Sequence, residues 1–332
     1  MTNRFLFEKL AICGATAIST LLSACGGGSS NNASATGTPQ ASTPSQTATS
    51  ANVATPQYAA GSAQIAAFQL LNRYRQQCGF AELTENRTLD QAAQAHATYM
   101  DDNGGTITDT EVAGNQGYTA VTYADRAVAA GYPSTAFAGG ASGGFYTNAT
   151  LTQTQYGQQI MYGLMTGVYH VAIAVWPVSE IGIGFAQEAY NGFPEVQASF
   201  QIGNLQPSTG TGPLTFPCQG TTGLPYSIGG EIPSPPNTSG NFGTPIAVAG
   251  LNIGDTIVLT SGTIIPADGS AITLDLLDST NDPNQVLPQY EAVAYPTLPL
   301  LPNTAYTVSI TGTDNRIAFS RNFTFTTGSI VG

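Results

Sequence analysis

Ser142, His170 and Asp109 are the residues of this 332-residue chain best suited to bond-breaking chemistry. Ser142 lies in Gly140-Ala141-Ser142-Gly143-Gly144, which fits the G-x-S-x-G pattern of a nucleophile elbow. In such a site a histidine takes the serine proton and a carboxylate orients the ring. The elbow requires a strand before the serine and a helix after it, whereas this stretch reads as a glycine-rich loop. Chain order differs as well: no Asp or Glu lies between Ser142 and His170, and no histidine follows His170. A triad in another order, His170 with Ser142 and Asp109, stays open geometrically, while Gly/Ser-rich loops also produce the pattern by chance. The other histidine, His96, falls on an apolar helical face with Leu89, Ala92, Ala93 and Met100. That setting reads as a packed core histidine rather than a ligand.

The cysteines carry different chemistry. Cys25 ends Leu22-Ser23-Ala24-Cys25, after a charged start (Arg4, Lys9) and an apolar run from Leu10 to Ala24. The run is too short and too rich in small residues for a permanent membrane helix, and it reads as an export signal. Its ending resembles the lipobox of bacterial lipoproteins, which implies lipidation of Cys25 and loss of residues 1–24. A plain cleaved signal with an incidental cysteine is the alternative. Gly26-Gly27-Gly28-Ser29-Ser30 follows at once, as a flexible tether would. The expected location is therefore a bacterial cell envelope, at the outer membrane and facing periplasm or exterior, with the N-terminal lipid anchor as the sole membrane contact. Cys13 leaves with the signal. Cys78 and Cys218 remain, and in an oxidising compartment a structural disulfide is their simplest use; a redox-active thiol pair would need closer spacing.

Charge narrows the partners. The formal net charge of −12 becomes −13 once Arg4, Lys9 and Glu8 leave with the signal, and no lysine remains. Such a surface repels nucleic acid and anionic lipid faces. Charged residues are only 8% of the chain, so solubility rests on uncharged polar groups, as in envelope or extracellular proteins.

Five segments follow from composition and pattern: a signal over 1–24, a disordered tether over 25–59, a globular domain over 60–220, a linker over 221–240 and a small all-β sandwich over 241–332. The tether is Ser, Thr, Ala, Gln, Asn and Pro without charge, which cannot bury enough surface to order itself. In the first domain, Ala66, Phe68, Leu70, Leu71 and Tyr74 form a helical stripe ending near Gly79. A second helix runs from about Thr88 to Asp102, and a third from about Gln153 to Thr166. Val171 to Trp176, Ile181 to Phe185 and Val196 to Ile202 read as strands. Early helices and late strands give an α+β class. Gly, Pro and Ser around Ser234-Pro235-Pro236 mark the linker. Beyond it, Ile257–Thr260, Ile272–Leu276, Tyr306–Ile310 and Phe319–Thr326 are short strands separated by turn signals, as in an antiparallel sandwich. Leu300-x-Pro302-x-Thr304-x-Tyr306 resembles the tyrosine-corner segment of immunoglobulin-like and fibronectin-like sandwiches.

The 60–206 region resembles the CAP superfamily, which includes cysteine-rich secretory proteins, antigen 5 and plant pathogenesis-related proteins. The resemblance rests on Leu71-Asn72-Arg73-Tyr74-Arg75, on Ala92-Ala93-Gln94-Ala95-His96-Ala97, on Asp125-Arg126 with Ala129-Ala130-Gly131-Tyr132, and on His170-x5-Trp176 followed by Glu180-Ile181-Gly182-Ile183-Gly184. It implies an αβα sandwich with a central antiparallel sheet and a large open cleft. The family's cleft usually carries two histidines and two glutamates able to hold a divalent cation. His170 falls on the second histidine; Asp109 stands where the first is expected, with Glu111 nearby. Ala138 to Ser142 lacks the carboxylate of the family's Gly-Glu-Asn motif, and the third helix offers Gln153, Gln155, Gln158 and Gln159 instead of an acid. No metal and no cofactor are expected, since such sites usually need three or more converging ligands. His170 is either a remnant of that cleft or a hydrogen-bonded structural histidine. The family is also associated with sterol or fatty-acid binding, for which Ile160, Leu164 and Met165 offer a groove lining if they are not core.

Two functions are therefore carried forward. The first is a surface-tethered, non-catalytic module that binds a small apolar ligand, such as a lipid or sterol, or an extracellular protein. The second is a metal-dependent or serine hydrolase using the cleft around His170.

Overall fold

A computed structural model describes residues 51–332. The signal, Cys25 and most of the expected tether lie outside the described residues. Residues 51–59, assigned to the tether from composition, instead lie against the folded body. Asn52 bridges to Asn86, the Val53 N–H donates to Glu85, and the Tyr58 hydroxyl donates to Asp90 Oδ1 at 2.7 Å. Few apolar residues are needed for this docking, because side-chain amides and backbone groups make it.

The first half is a three-layer α+β unit. Its helices are α1 (Ala63–Gln77), α2 (Arg87–Asp102), α3 (Tyr123–Ala129), α4 (Gln153–Met165) and the short α5 (Ala172–Val175). Its strands are β1 (Thr84–Glu85), β2 (Ala138–Tyr146), β3 (Val178–Tyr190) and β4 (Phe193–Leu205), in sheet order β1-β3-β4-β2. The sheet is antiparallel apart from β1, which runs parallel to β3. Ile181, Ile183, Val196, Ala198 and Phe200 turn one face of the sheet into the core shared with α1 and α4. The opposite face carries α2 and α3. There Gly182 and Gly184 let α2 lie directly on β3, since a Cβ at either would collide with the backbone of Leu89 or Ala93. Side chains start the helices: Ser62 caps α1, Asn86 caps α2, and Thr122 and Thr152 open capping boxes on α3 and α4.

Two expectations need correction. Val171 to Trp176 is not a strand: the chain makes a turn and the helix α5, with Val171 to Trp176 all buried. A short apolar run has no period that separates strand from helix. The glycine-rich stretch around Ser142 is not a loop but β2, an edge strand paired along its length with β4. The helix α3, absent from the pattern-based reading, is too short to show a period.

The second half contains β5 (Leu214–Phe216), β6 (Thr222–Leu224), β7 (Ile246–Ala249), β8 (Ile257–Pro266), β9 (Ile272–Thr273), β10 (Asp275–Asp278), β11 (Glu291–Tyr295), β12 (Ala305–Asp314) and β13 (Ile317–Thr327). They form a four-stranded sheet, β10-β11-β7-β5, and a five-stranded sheet, β6-β13-β12-β8-β9. The Tyr306 hydroxyl accepts from the Leu301 N–H at 2.8 Å, closing the corner suggested by its segment.

The 221–240 segment expected as a linker is woven into this body. β6 pairs with β13, Ile228 bridges to Phe242, and Ser227 bridges to Val331. β5, assigned to the first domain, is an edge strand of the second half. One hydrophobic core runs from α1 and α4 through α5 into β7, β11 and β12. The glycines and prolines signalled irregular backbone; the buried Leu224, Ile228 and Phe242 among them decide that it docks. Cys78, at the end of α1, is bridged to Cys218 across 140 residues of sequence, so the disulfide reading holds.

Candidate functional site

His170 lies in the turn between α4 and α5, and only 2% of it is exposed. Its Nδ1 is 2.7 Å from Oε2 of Glu231, and the Tyr169 N–H donates to Oε1 of the same carboxylate at 3.0 Å. Gly167 makes the room, because a Cβ there would collide with Glu231 Oε2. Pattern reasoning missed Glu231 by assigning it to a linker. A signal was present: it is the only charged residue between Glu195 and Asp255. A lone acid in so long an uncharged stretch has a partner to find.

The segment after His170 is held on both sides. From behind, the buried Arg75 of α1 donates to the carbonyls of Ile173, Trp176 and Val178. Its hydrogen bonds go to carbonyls, and burial lowers its pKa to about 9. From the front, the Tyr169 hydroxyl donates to Asp282 Oδ1 at 2.9 Å, and Trp176 Nε1 donates to Glu291 Oε2 at 2.7 Å. Burial pushes the Glu291 carboxyl up to about 8, so it is mostly protonated at neutral pH. Three acids from the second half thus meet the 169–176 segment. The open cleft implied by the family resemblance is closed here by the chain's own C-terminal half.

Asp109 lies near enough for His170 to pull its pKa down, but burial outweighs that pull and raises it to about 7. Its Oδ1 accepts from the Tyr123 hydroxyl at 2.5 Å, and that hydroxyl shares a 2.6 Å hydrogen bond with Ser142 Oγ. Ser142 is buried in the middle of β2 rather than displayed on a turn. The motif's outer glycines have a packing reason: a Cβ at Gly140 would collide with the Phe200 carbonyl and the Tyr123 ring, and one at Gly144 with Ile107 and the Val196 carbonyl. The G-x-S-x-G pattern therefore reflects close approach of β4, α3 and the 107 loop to β2.

Glu111 does not join His170. Its Oε1 is 2.9 Å from Nδ1 of His96, and its Oε2 accepts from the Thr119 N–H at 2.6 Å. Arg126 stands 3.8 Å from Oε1. Glu111 is held below the usual carboxylate range by His96, Thr119 and Arg126, against the effect of its burial. His96 is a core histidine as expected, with Nε2 2.7 Å from the Thr108 carbonyl. Burial lowers its pKa, although both partners favour a proton on each ring nitrogen. Glu180 is likewise structural, accepting from Asn52, Asn86, Tyr132 and Asn204.

The donor set does not fit the family's cation site. Asp109 is engaged by the Tyr123 hydroxyl and is protonated for part of the time at neutral pH, and Glu111 belongs to another histidine. Among the described residues, no three His, Cys, Asp or Glu converge in a way that could hold a metal ion. The glutamines of α4 are not substitutes: Gln155 closes a capping box, Gln153 donates to Gln187, and Gln159 donates to the Val331 carbonyl.

Ile160, Leu164 and Met165 are core residues. A separate groove of about 470 Å³ lies between residues 58–61, α1 and α4, lined by Tyr58, Ile65, Leu70, Gln69, Arg73 and Gln158 among others.

Residues 68–201 match the model of the cysteine-rich secretory protein family, CAP. Comparison with curated proteins and with solved structures found no match.

Proposed function

We propose, for a chain whose residues 68–201 are a domain of the cysteine-rich secretory protein family, that it acts as a non-catalytic binding module tethered to a bacterial envelope through Cys25. The observation that carries this reading is the Glu231–His170 contact: the histidine of the cleft is buried and engaged by the chain itself. A carboxylate on Nδ1 would suit a catalytic histidine too, so the weight rests on burial: a hydrolase would need a path for substrate to the ring, and His170 is 2% exposed. The signal-like start, the uncharged tether and a net charge of −13 after signal removal support an exported, anchored protein that avoids nucleic acid.

The α1–α4 groove is the place for a small amphiphile, with Ile65 and Leu70 for its apolar part and the Arg73 guanidinium at the rim for an anionic group. Three measurements test the reading. Globomycin-sensitive lipid labelling should be present in the native chain and lost in Cys25→Ser. Organic extraction of the purified protein should yield a stoichiometric lipid, reduced in Arg73→Ala or Leu70→Gln. Ester or peptide turnover that is abolished by Ser142→Ala or His170→Ala would instead establish a hydrolase and overturn the non-catalytic reading.

A further inference from the structure

We propose that the Gly167–His170 turn is a carboxylate receptor, and that Glu231 is its resident ligand in cis. Both oxygens of one carboxylate are gripped by different donors: Tyr169 N–H on Oε1 at 3.0 Å, and the His170 ring on Oε2 at 2.7 Å. Two-point recognition of this kind fixes the plane of the group as well as its charge, and charge-assisted contacts are the stronger class of hydrogen bond. Gly167 completes the receptor sterically. Its missing side chain leaves a slot that the carboxylate fills, with His170 Cβ and Nδ1 forming the adjacent wall.

The ligand arm is built to deliver an acid. Glu231 sits between Gly229-Gly230 and Ile232-Pro233, with Gly230 at a φ of 110°. Ends of the strap are secured elsewhere: Ile228 bridges to Phe242, and the Pro236 carbonyl accepts from the Tyr295 hydroxyl at 2.9 Å. The receptor comes from the CAP domain and the acid from outside the matched residues, so the contact joins two parts of the chain by ligand chemistry rather than by a shared strand. The ligand class that fits is a single carboxylate on a slim, unbranched arm. This inference is independent of the tether and of any lipid in the α1–α4 groove.

Chemical rescue tests it in the full chain. Glu231→Ala should lower the Tm and leave a vacant slot of carboxylate size. Formate, compared with chloride at equal ionic strength, should then raise the Tm of this variant by about 2–4 °C at saturation. Wild type, with the slot filled, and Glu231→Ala/His170→Ala, with the receptor removed, should show no formate-specific rise. If Glu231→Ala does not stay folded in chloride, refolding in formate should recover native protein. Absence of formate-specific stabilisation or recovery in Glu231→Ala, or an equal effect in wild type or the double variant, overturns the proposal.

Discussion

Trp176 and Glu291 are joined by a 2.7 Å hydrogen bond between the end of α5 and β11, and neither side chain reaches solvent. The indole of the family's His-x5-Trp signature is thereby committed to a carboxyl group that lies outside the family-matched residues. This contact is polar, buried and sensitive to ionisation, so it sets a pH limit on how the two halves stay joined.

Burial raises the Glu291 pKa from 4.5 to about 8. The folded state therefore keeps a proton that the unfolded chain loses, and the associated stability is fully present below about pH 4.5. It is lost as pH rises through about 8. Asp109 and Asp90, both raised to about 7 by burial, act in the same direction. Thermal unfolding should show Tm falling between pH 5 and pH 9. Glu291→Gln, which keeps an acceptor for Trp176, should flatten the upper part of that fall, by on the order of 2–4 kcal/mol at pH 9.

Ser142 shares its hydrogen bond with Tyr123 inside the sheet layer. Ser142→Ala should cost about 1 kcal/mol in denaturant unfolding, the usual scale for one buried hydrogen bond. Tyr123→Phe should cost more, because it leaves Asp109 Oδ1 as well as Ser142 without that partner.

Gly182→Ala should cost more than Gly144→Ala. A Cβ at Gly182 meets the backbone of Leu89 and Asp90, which cannot yield without moving α2; one at Gly144 meets the Ile107 side chain as well as the Val196 carbonyl. Gly182→Ala should lose about 3 kcal/mol or more, whereas Gly144→Ala should stay within about 1–3 kcal/mol. Equal losses in chemical denaturation would argue against direct contact of α2 with β3.

The disulfide joins cysteines 140 positions apart in the sequence. In the chain-entropy model a loop of this length is stabilising by up to about 5 kcal/mol. Cys78→Ser/Cys218→Ser should lower the urea midpoint accordingly, with a smaller drop if the unfolded chain stays compact.

Much of the layered α+β half could be read directly. The stripes of α1, α2 and α4 and the apolar alternation of β3 and β4 follow from burial on one face, and the Cys78–Cys218 bridge is the pairing that the export-like start led one to expect. Other features depend on contacts that no local pattern encodes. Ser142 looked like a loop residue because its glycines make room for Tyr123, Ile107 and the β4 backbone, far along the chain. Glu111 stood two residues from Asp109 yet faces a different histidine, since the 107–111 turn splits their directions. Glu231 was hidden by its proline- and glycine-rich surroundings, whose irregular backbone is a docked strap. Composition reports how a segment bends; it does not report what its one acid reaches.

Carbethoxylation of the two histidines, followed by mass spectrometry of the full chain under native conditions, addresses the closed cleft directly. His96, on the buried face of α2, serves as the internal reference. Wild type should leave both His96 and His170 unmodified, and Glu231→Ala should expose His170 alone, at a rate at least tenfold above wild type. Modification of His170 in wild type at the rate of a solvent-exposed histidine would show an open cleft and contradict closure by the chain's own C-terminal half.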